Sequence, residues 1–127
     1  MKERMNQKIN INEKFSMFSE QWRPKIVAQL NGQDFKLAKI QGEYPWHAHE
    51  AEDEMFFVWR GALELDFRDG SVVRLEEGEA FVIPKGIEHR PRAKDECQIF
   101  LIEPTGVKNS GTATVDAIYD APVGEWV

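Results

Sequence analysis

The sequence predicts an all-β protein, an antiparallel sandwich or barrel, with a short helix near the N-terminus. Short apolar stretches recur along residues 25–102, and Gly, Pro and Asn residues punctuate them. Residues 62–68 alternate in character, so Leu63, Leu65 and Phe67 would face a core while the charged residues at 64, 66 and 68 would face water. Strands alternating with long helical stretches, which indicate an α/β protein, do not occur.

Composition limits the classes of function. A length of 127 residues indicates one domain, and 42% hydrophobic and 11% aromatic residues argue against disorder. The net charge of -6 argues against a nucleic-acid-binding protein, which would need a basic stripe. No apolar stretch is long enough for a membrane span or signal peptide, so a cytoplasmic location is the default expectation. We expect an arm and helix over residues 1–24, a barrel over 25–104, and a tail over 105–127 that packs on the barrel.

The predicted helix covers residues 12–22 and would pack on the barrel or at a dimer contact. Its apolar residues recur at spacings of 4, 3 and 4, which places them on one face: Ile11, Phe15, Phe18 and Trp22. Asn10 or Asn12 can cap its start, and Pro24 would prevent its continuation.

Eight strands follow in the prediction, at residues 25–30, 33–40, 54–59, 62–68, 71–75, 80–83, 88–93 and 97–102. The strongest hairpin signal is Asn31-Gly32, and Arg60-Gly61, Asp69-Gly70 and Glu77-Gly78 mark further turns. Cys97 opens the last strand, where a buried and inert thiol is expected.

The strand over 54–59 is apolar on both faces. Phe56 and Val58 would point into the core, and Met55, Phe57 and Trp59 would point outward. An outward apolar face needs a cover, which the helix or a second subunit could provide. We therefore expect a homodimer.

The three histidines of the chain, His47, His49 and His89, lie in two short stretches that together suggest one metal site. On an extended strand, His47 and His49 would point to the same face. The carboxylate ligand must come from the acidic stretch 50–54. Glu54 is favoured because it begins an apolar strand on the inward face, where an unpaired carboxylate is costly.

These two stretches resemble the paired motifs of the cupin superfamily. In the first motif, the residues that match the family spacing are His47, His49, Glu54 and Gly61. Four residues separate Gly42 from His47, whereas the family has five. In the second, the matching residues are Gly78, Pro84, Gly86 and His89, and Ala93 stands where the family has Asn.

The resemblance implies a double-stranded β-helix, or jelly-roll barrel, that holds one divalent transition metal per chain. The implied metal ligands are His47, His49, Glu54 and His89, and Fe, Mn, Ni, Co and Zn all suit that set. Tyr44 is a candidate hydrogen-bond donor near the site, whereas Arg90 and Arg92 are expected at the surface.

Two functions remain open. One is a small metal-dependent enzyme that acts on a small organic molecule, with isomerase or oxygenase chemistry. The alternative is a non-catalytic module that binds or senses a small molecule. The sequence identifies no catalytic residue beyond the metal ligands and no organic cofactor.

Overall fold

The computed structural model describes residues 7–116 and 118–127. It contains one short helix and seven strands. The elements are α1 (Ile11–Phe15), β1 (Lys25–Leu30), β2 (Gln33–Glu43), β3 (Glu54–Arg60), β4 (Ala62–Phe67), β5 (Val72–Glu76), β6 (Ala80–Ile83) and β7 (His89–Pro104). All named strand pairs are antiparallel, so the predicted all-β class is confirmed.

The helix is shorter than predicted, because α1 ends at Phe15 instead of continuing to Trp22. Asn10 caps its start by accepting a hydrogen bond from the Glu13 N–H, as expected of a cap. At the other end, the Ser16 hydroxyl donates to the Glu13 carbonyl at 2.6 Å, which competes with further helix formation. Trp22 lies far from helical geometry, with φ of 61°, and its N–H donates to Lys39 of β2.

The first hairpin forms where it was predicted. Asn31 and Gly32 have φ of 52° and 76°, and Leu30 pairs with Gln33 across them. Positive φ at both central residues is the requirement of a type I′ turn, which Asn-Gly meets at low cost.

One long strand replaces two predicted ones. The sequence predicts separate strands over 88–93 and 97–102, but β7 runs unbroken through the exposed residues 94–96. The charged side chains there are accommodated by an irregularity in the pairing with β2, between Ile40 and Gly42. A bulge keeps a strand continuous where extra residues would otherwise require a turn. As a result β7 pairs with β2, β3 and β4 and forms the centre of the sheet.

Two hydrophobic clusters cover the two faces of the sheet. The inner cluster includes Phe56, Val58, Leu63 and Leu65, all of which were predicted to face the core. The outer cluster brings Phe15 against partly buried residues that include Trp59. Trp59 also donates from its indole nitrogen to the Asn12 side chain at 2.8 Å. The N-terminal segment thus covers part of the outward apolar face of β3, as expected.

Asp66 corrects the predicted alternation in β4. It was expected to face water, yet it is only 7% exposed. Its carboxylate accepts hydrogen bonds from Arg90 and from Arg92, the latter at 2.8 Å. The two arginines, expected at the surface, are partly buried and cover this carboxylate. An outward strand position is therefore buried by long side chains from the neighbouring strand.

The C-terminal segment lies against the barrel. Glu125 and Val127 form backbone hydrogen bonds with Ile26 of β1, at 2.7 and 3.2 Å. Nearer the middle of the tail, the Thr112 N–H donates to the Ala48 carbonyl at 2.9 Å. This second contact places the tail directly over the stretch that carries His47 and His49. No helix among the described residues has the length and hydropathy needed to cross a membrane.

Candidate metal centre

His47 and His49 lie on the segment between β2 and β3. This segment was expected to be an extended strand, but it does not form a regular one. Only His47 forms a bridge, exchanging both backbone hydrogen bonds with His89 at 3.1 and 2.9 Å. Both histidines are nevertheless buried, 3% and 4% exposed, and the centroids of their rings lie 5.1 Å apart. The expected convergence of the two rings therefore occurs without a full strand.

Glu54 begins β3 with its carboxylate inside the barrel, only 3% exposed. Its Oε1 atom lies 3.4 Å from His49 Nε2 and 3.7 Å from His89 Nε2. His89 begins β7 and is fully buried. One potential ligand atom from each of His47, His49, Glu54 and His89 lies within 4.8 Å of the others. The structure thus brings together all four residues that the sequence singled out.

Backbone carbonyls orient two of the imidazoles. His47 Nδ1 lies 3.0 Å from the Pro45 carbonyl, and His89 Nδ1 lies 2.9 Å from the Ile87 carbonyl. A carbonyl can only accept, so these contacts fix the proton on Nδ1 and leave Nε2 with a free lone pair. This arrangement is typical of metal-binding histidines.

The electrostatics of the cluster favour a bound cation. Burial lowers the pKa of His47 to about 4, so its imidazole is neutral at pH 7. Burial opposes ionisation of Glu54, but the imidazoles of His49 and His89 outweigh it and lower the pKa of the carboxyl. Burial also acts to lower the pKa of His49, and Glu54 reverses the direction and raises it.

The polar atoms at the centre test whether a metal fits. Within the part of the chain that the structure describes, His49 Nε2, Glu54 Oε1 and His89 Nε2 are buried without a hydrogen-bond partner. Such orphaned acceptors cost free energy unless a cation or donor occupies the space between them. Three imidazole nitrogens and one carboxylate suit a divalent transition metal, so the residues present fit one.

A narrow cavity adjoins the centre. His47 and Glu54 contribute to its wall, together with apolar and aromatic residues that include Trp22, Tyr44 and Phe56. The volume of the cavity that the centre of a water molecule can occupy is about 20 Å³, which is enough for roughly one water molecule. The described residues that line the cavity include neither lysine nor arginine.

Tyr44, a predicted hydrogen-bond donor, is buried beside His47 with its ring 5.0 Å away. Its hydroxyl donates to the Tyr119 carbonyl at 3.0 Å and lies 3.2 Å from the Asn109 amide nitrogen. Burial raises the pKa of Tyr44. Its hydroxyl therefore holds the tail over the cavity.

Sequence reasoning missed a second buried cluster, formed by Lys36 of β2 and Glu103 of β7. Their side chains are 3.1 Å apart, and the two residues are 5% and 1% exposed. Burial and the charge of Glu54 raise the pKa of Glu103 well above its ordinary value. The signal was available: alternation through Cys97, Ile99 and Leu101 continues inward to residue 103, the same mismatch that singled out Glu54.

Comparison with known proteins shows the family. The family model described as Cupin domain matches residues 33–103, more than half of the chain. The chain belongs to the cupin family. The matched segment includes all four clustered residues, strands β2 to β6 in whole and β7 except for its last residue, Pro104, and it confirms the predicted fold.

The chain is similar to a curated relative and to solved structures. A crystal structure of a cupin-2 domain containing protein from Shewanella frigidimarina is 50% identical, covers 76% of this chain and 93% of its own, and has a TM-score of 0.74. Uncharacterized protein YdbB of Bacillus subtilis is 36% identical over 65% of this chain and 67% of its own. Hydroquinone 1,2-dioxygenase PnpCD is 20% identical with a TM-score of 0.66, covering 81% and 76% of the two chains, so the likeness concerns the fold alone.

Proposed function

We propose that this cupin binds one divalent transition metal per chain through His47, His49, Glu54 and His89. We propose further that the protein is an enzyme and that the bound metal takes part in catalysis. The observation that carries the proposal is the set of buried, unpartnered acceptor atoms that meet inside the barrel. A bound divalent ion would supply Lewis-acid or redox chemistry to a molecule beside it. The residues around the metal would orient the bound molecule and exclude bulk water from the cavity.

The cavity indicates the kind of molecule. Its wall is mostly apolar and aromatic, and no cationic side chain lines it among the described residues. A phosphate or carboxylate group that does not coordinate the metal would therefore be desolvated without a partner, which is costly. We propose a small, uncharged organic substrate. This preference favours oxygenase chemistry over the isomerisation of a sugar phosphate.

The narrowness of the cavity adds a requirement. Because the centre of a water molecule can occupy only about 20 Å³ of the cavity, an organic substrate must displace part of the cavity wall. The parts of the tail around Asn109 and Tyr119 are the proposed moving parts, because each residue contacts Tyr44 through one hydrogen bond. Movement of a covering segment on substrate entry is common in enzymes.

Metal stoichiometry tests the proposal. Wild-type protein should bind about one Co²⁺ or Zn²⁺ per chain by elemental analysis after gel filtration. His47→Ala combined with His49→Ala should bind none, while circular dichroism shows a folded barrel. Stoichiometric binding by the double variant would refute the proposed ligands. Oxygen uptake by the Fe²⁺-loaded protein with uncharged phenols and aldehydes then separates catalysis from the alternative, a non-catalytic binding module.

We also propose a homodimer. Met55 and Phe57 of β3 remain only partly buried, and Val82 on the neighbouring strand is 52% exposed. Among the described residues β6 pairs only with β3, so its outer edge is free. An identical edge in a second copy would complete a symmetric pairing and cover this face. Light scattering at the monomer mass would refute it.

Other expectations stay predictions. They are the division of the chain into an arm, a barrel and a tail, the cytoplasmic location, and the lack of a nucleic-acid partner.

A further inference from the structure

Glu103 stands directly beside the metal ligand Glu54. Met55 pairs with Ile102, so the next residues along these antiparallel strands, Glu54 and Glu103, are cross-strand neighbours. Both side chains are buried on the inner face, and each carboxyl lies within reach of the other. Two carboxylates in such positions repel each other unless cations or donors separate their charges.

Lys36 provides a hydrogen-bond donor for Glu103. Its ammonium donates to Glu103 Oε1 at 3.1 Å and to the Val107 carbonyl at 3.4 Å. The second oxygen, Glu103 Oε2, is buried and has no hydrogen-bond partner within the described part of the chain. Lys36 therefore anchors one oxygen of the Glu103 carboxyl and leaves the other oxygen without a hydrogen bond among the described residues.

Stability alone does not explain this pair. Burying the Lys36 ammonium beside the Glu103 carboxyl costs several kcal/mol of desolvation, and apolar residues of similar volume often serve a fold equally well or better. The pair also lies next to a ligand whose orientation decides whether the four acceptor atoms can converge. Partners behind metal ligands commonly fix the direction of those ligands.

We propose that Lys36 and Glu103 are positioning residues, which hold the Glu54 carboxylate in its direction toward the metal. Lys36 fixes Glu103, and Glu103 limits the rotation of Glu54 about its side-chain bonds. The inference rests on the proposed metal-binding function.

Cobalt binding tests the inference. Glu103→Ala should weaken Co²⁺ binding by ~10–100-fold, the usual effect of losing such a partner, and should alter the visible absorption bands of the Co²⁺ protein. Glu103→Gln should retain both properties, because the amide can accept from Lys36 and occupy the same volume. If the alanine variant does not fold, Glu103→Leu replaces it in the experiment because leucine fills the space. The leucine variant should likewise bind Co²⁺ more weakly and show altered absorption bands.

A matched control separates positioning from simple stability. Lys25 is also buried, at 4% exposure, and forms an ion pair with Glu125 at the tail. Lys25→Met should lower the free energy of unfolding without changing Co²⁺ affinity, whereas Lys36→Met should lower both. Unchanged affinity and bands in folded Glu103→Ala, or its leucine substitute, would overturn the inference. If the wild type itself binds no Co²⁺, the proposed function fails instead.

Discussion

Gly111 lies in the part of the tail that packs tightly against Ala48 and His49. A Cβ atom at this position would lie 2.3 Å from the Ala48 carbonyl oxygen and 3.1 Å from His49 Nδ1. Its φ of 53° adds the strain of the left-handed region. Gly111→Ala should therefore push the tail away from the segment that carries His47 and His49.

The cost can be worked from the contacts. A Cβ in the left-handed region costs ~1–2 kcal/mol. Separation of the two segments also breaks the hydrogen bonds of Thr112 with Ala48, at 2.9 and 3.2 Å, each worth ~0.5–1.5 kcal/mol. Together these terms give a loss of about 2–5 kcal/mol in the free energy of unfolding.

Gly106 offers a control on the same tail. Its φ is 89°, yet an added Cβ would meet nothing within 4 Å. Gly106→Ala should therefore cost only the backbone term of ~1–2 kcal/mol. Urea unfolding measures both losses, and Co²⁺ titration should show weaker binding for Gly111→Ala alone. A loss for Gly111→Ala no larger than that for Gly106→Ala would contradict the close approach.

Three further predictions concern buried charged or titratable groups. Burial lowers the pKa of His47 to about 4 in the folded protein, from an ordinary value of 6.5, so protonation of this histidine favours the unfolded chain. The contribution of its neutral imidazole to the free energy of unfolding is therefore complete above pH 6.5 and is lost as the pH falls toward 4. Metal-free wild type should therefore lose ~3 kcal/mol more than His47→Gln between pH 7 and pH 4 in urea unfolding, and parallel pH profiles would exclude this. Asp66→Ala removes the acceptor shared by Arg90 and Arg92, so it should cost about 1–2 kcal/mol; a smaller loss at high salt is expected, and no loss at any salt would show that the network contributes nothing. Burial raises the pKa of Cys97 to about 12, so its thiol should not react with a disulfide reagent at pH 8 until the protein is unfolded, and rapid labelling of the native state would refute its burial.

Much of the fold could be predicted because local signals agree with it. Asn31-Gly32 specifies the first hairpin, and the alternation around Leu63 and Leu65 specifies an inward face. The four clustered residues were predicted because their spacing resembles the paired cupin motifs, and because an unpaired carboxylate at Glu54 would be costly on the inward face of an apolar strand.

The rest depends on contacts between distant parts of the chain. The helix ends at Phe15 because Ser16 donates to the backbone and Trp22 pairs with β2, neither of which apolar spacing reveals. Asp66 is buried only because two arginines from β7 cover it. Lys36 and Glu103 are separated by 67 residues, and only the register of β2 on β7 brings them together.

Crystals of the protein soaked with Zn²⁺ test the central claim most directly, through the anomalous signal of the metal. We predict one strong peak per chain, ~2.0–2.2 Å from the Nε2 atoms of His47, His49 and His89 and from the Glu54 carboxylate. A peak elsewhere, or density showing these four side chains turned away from one another, would contradict the account.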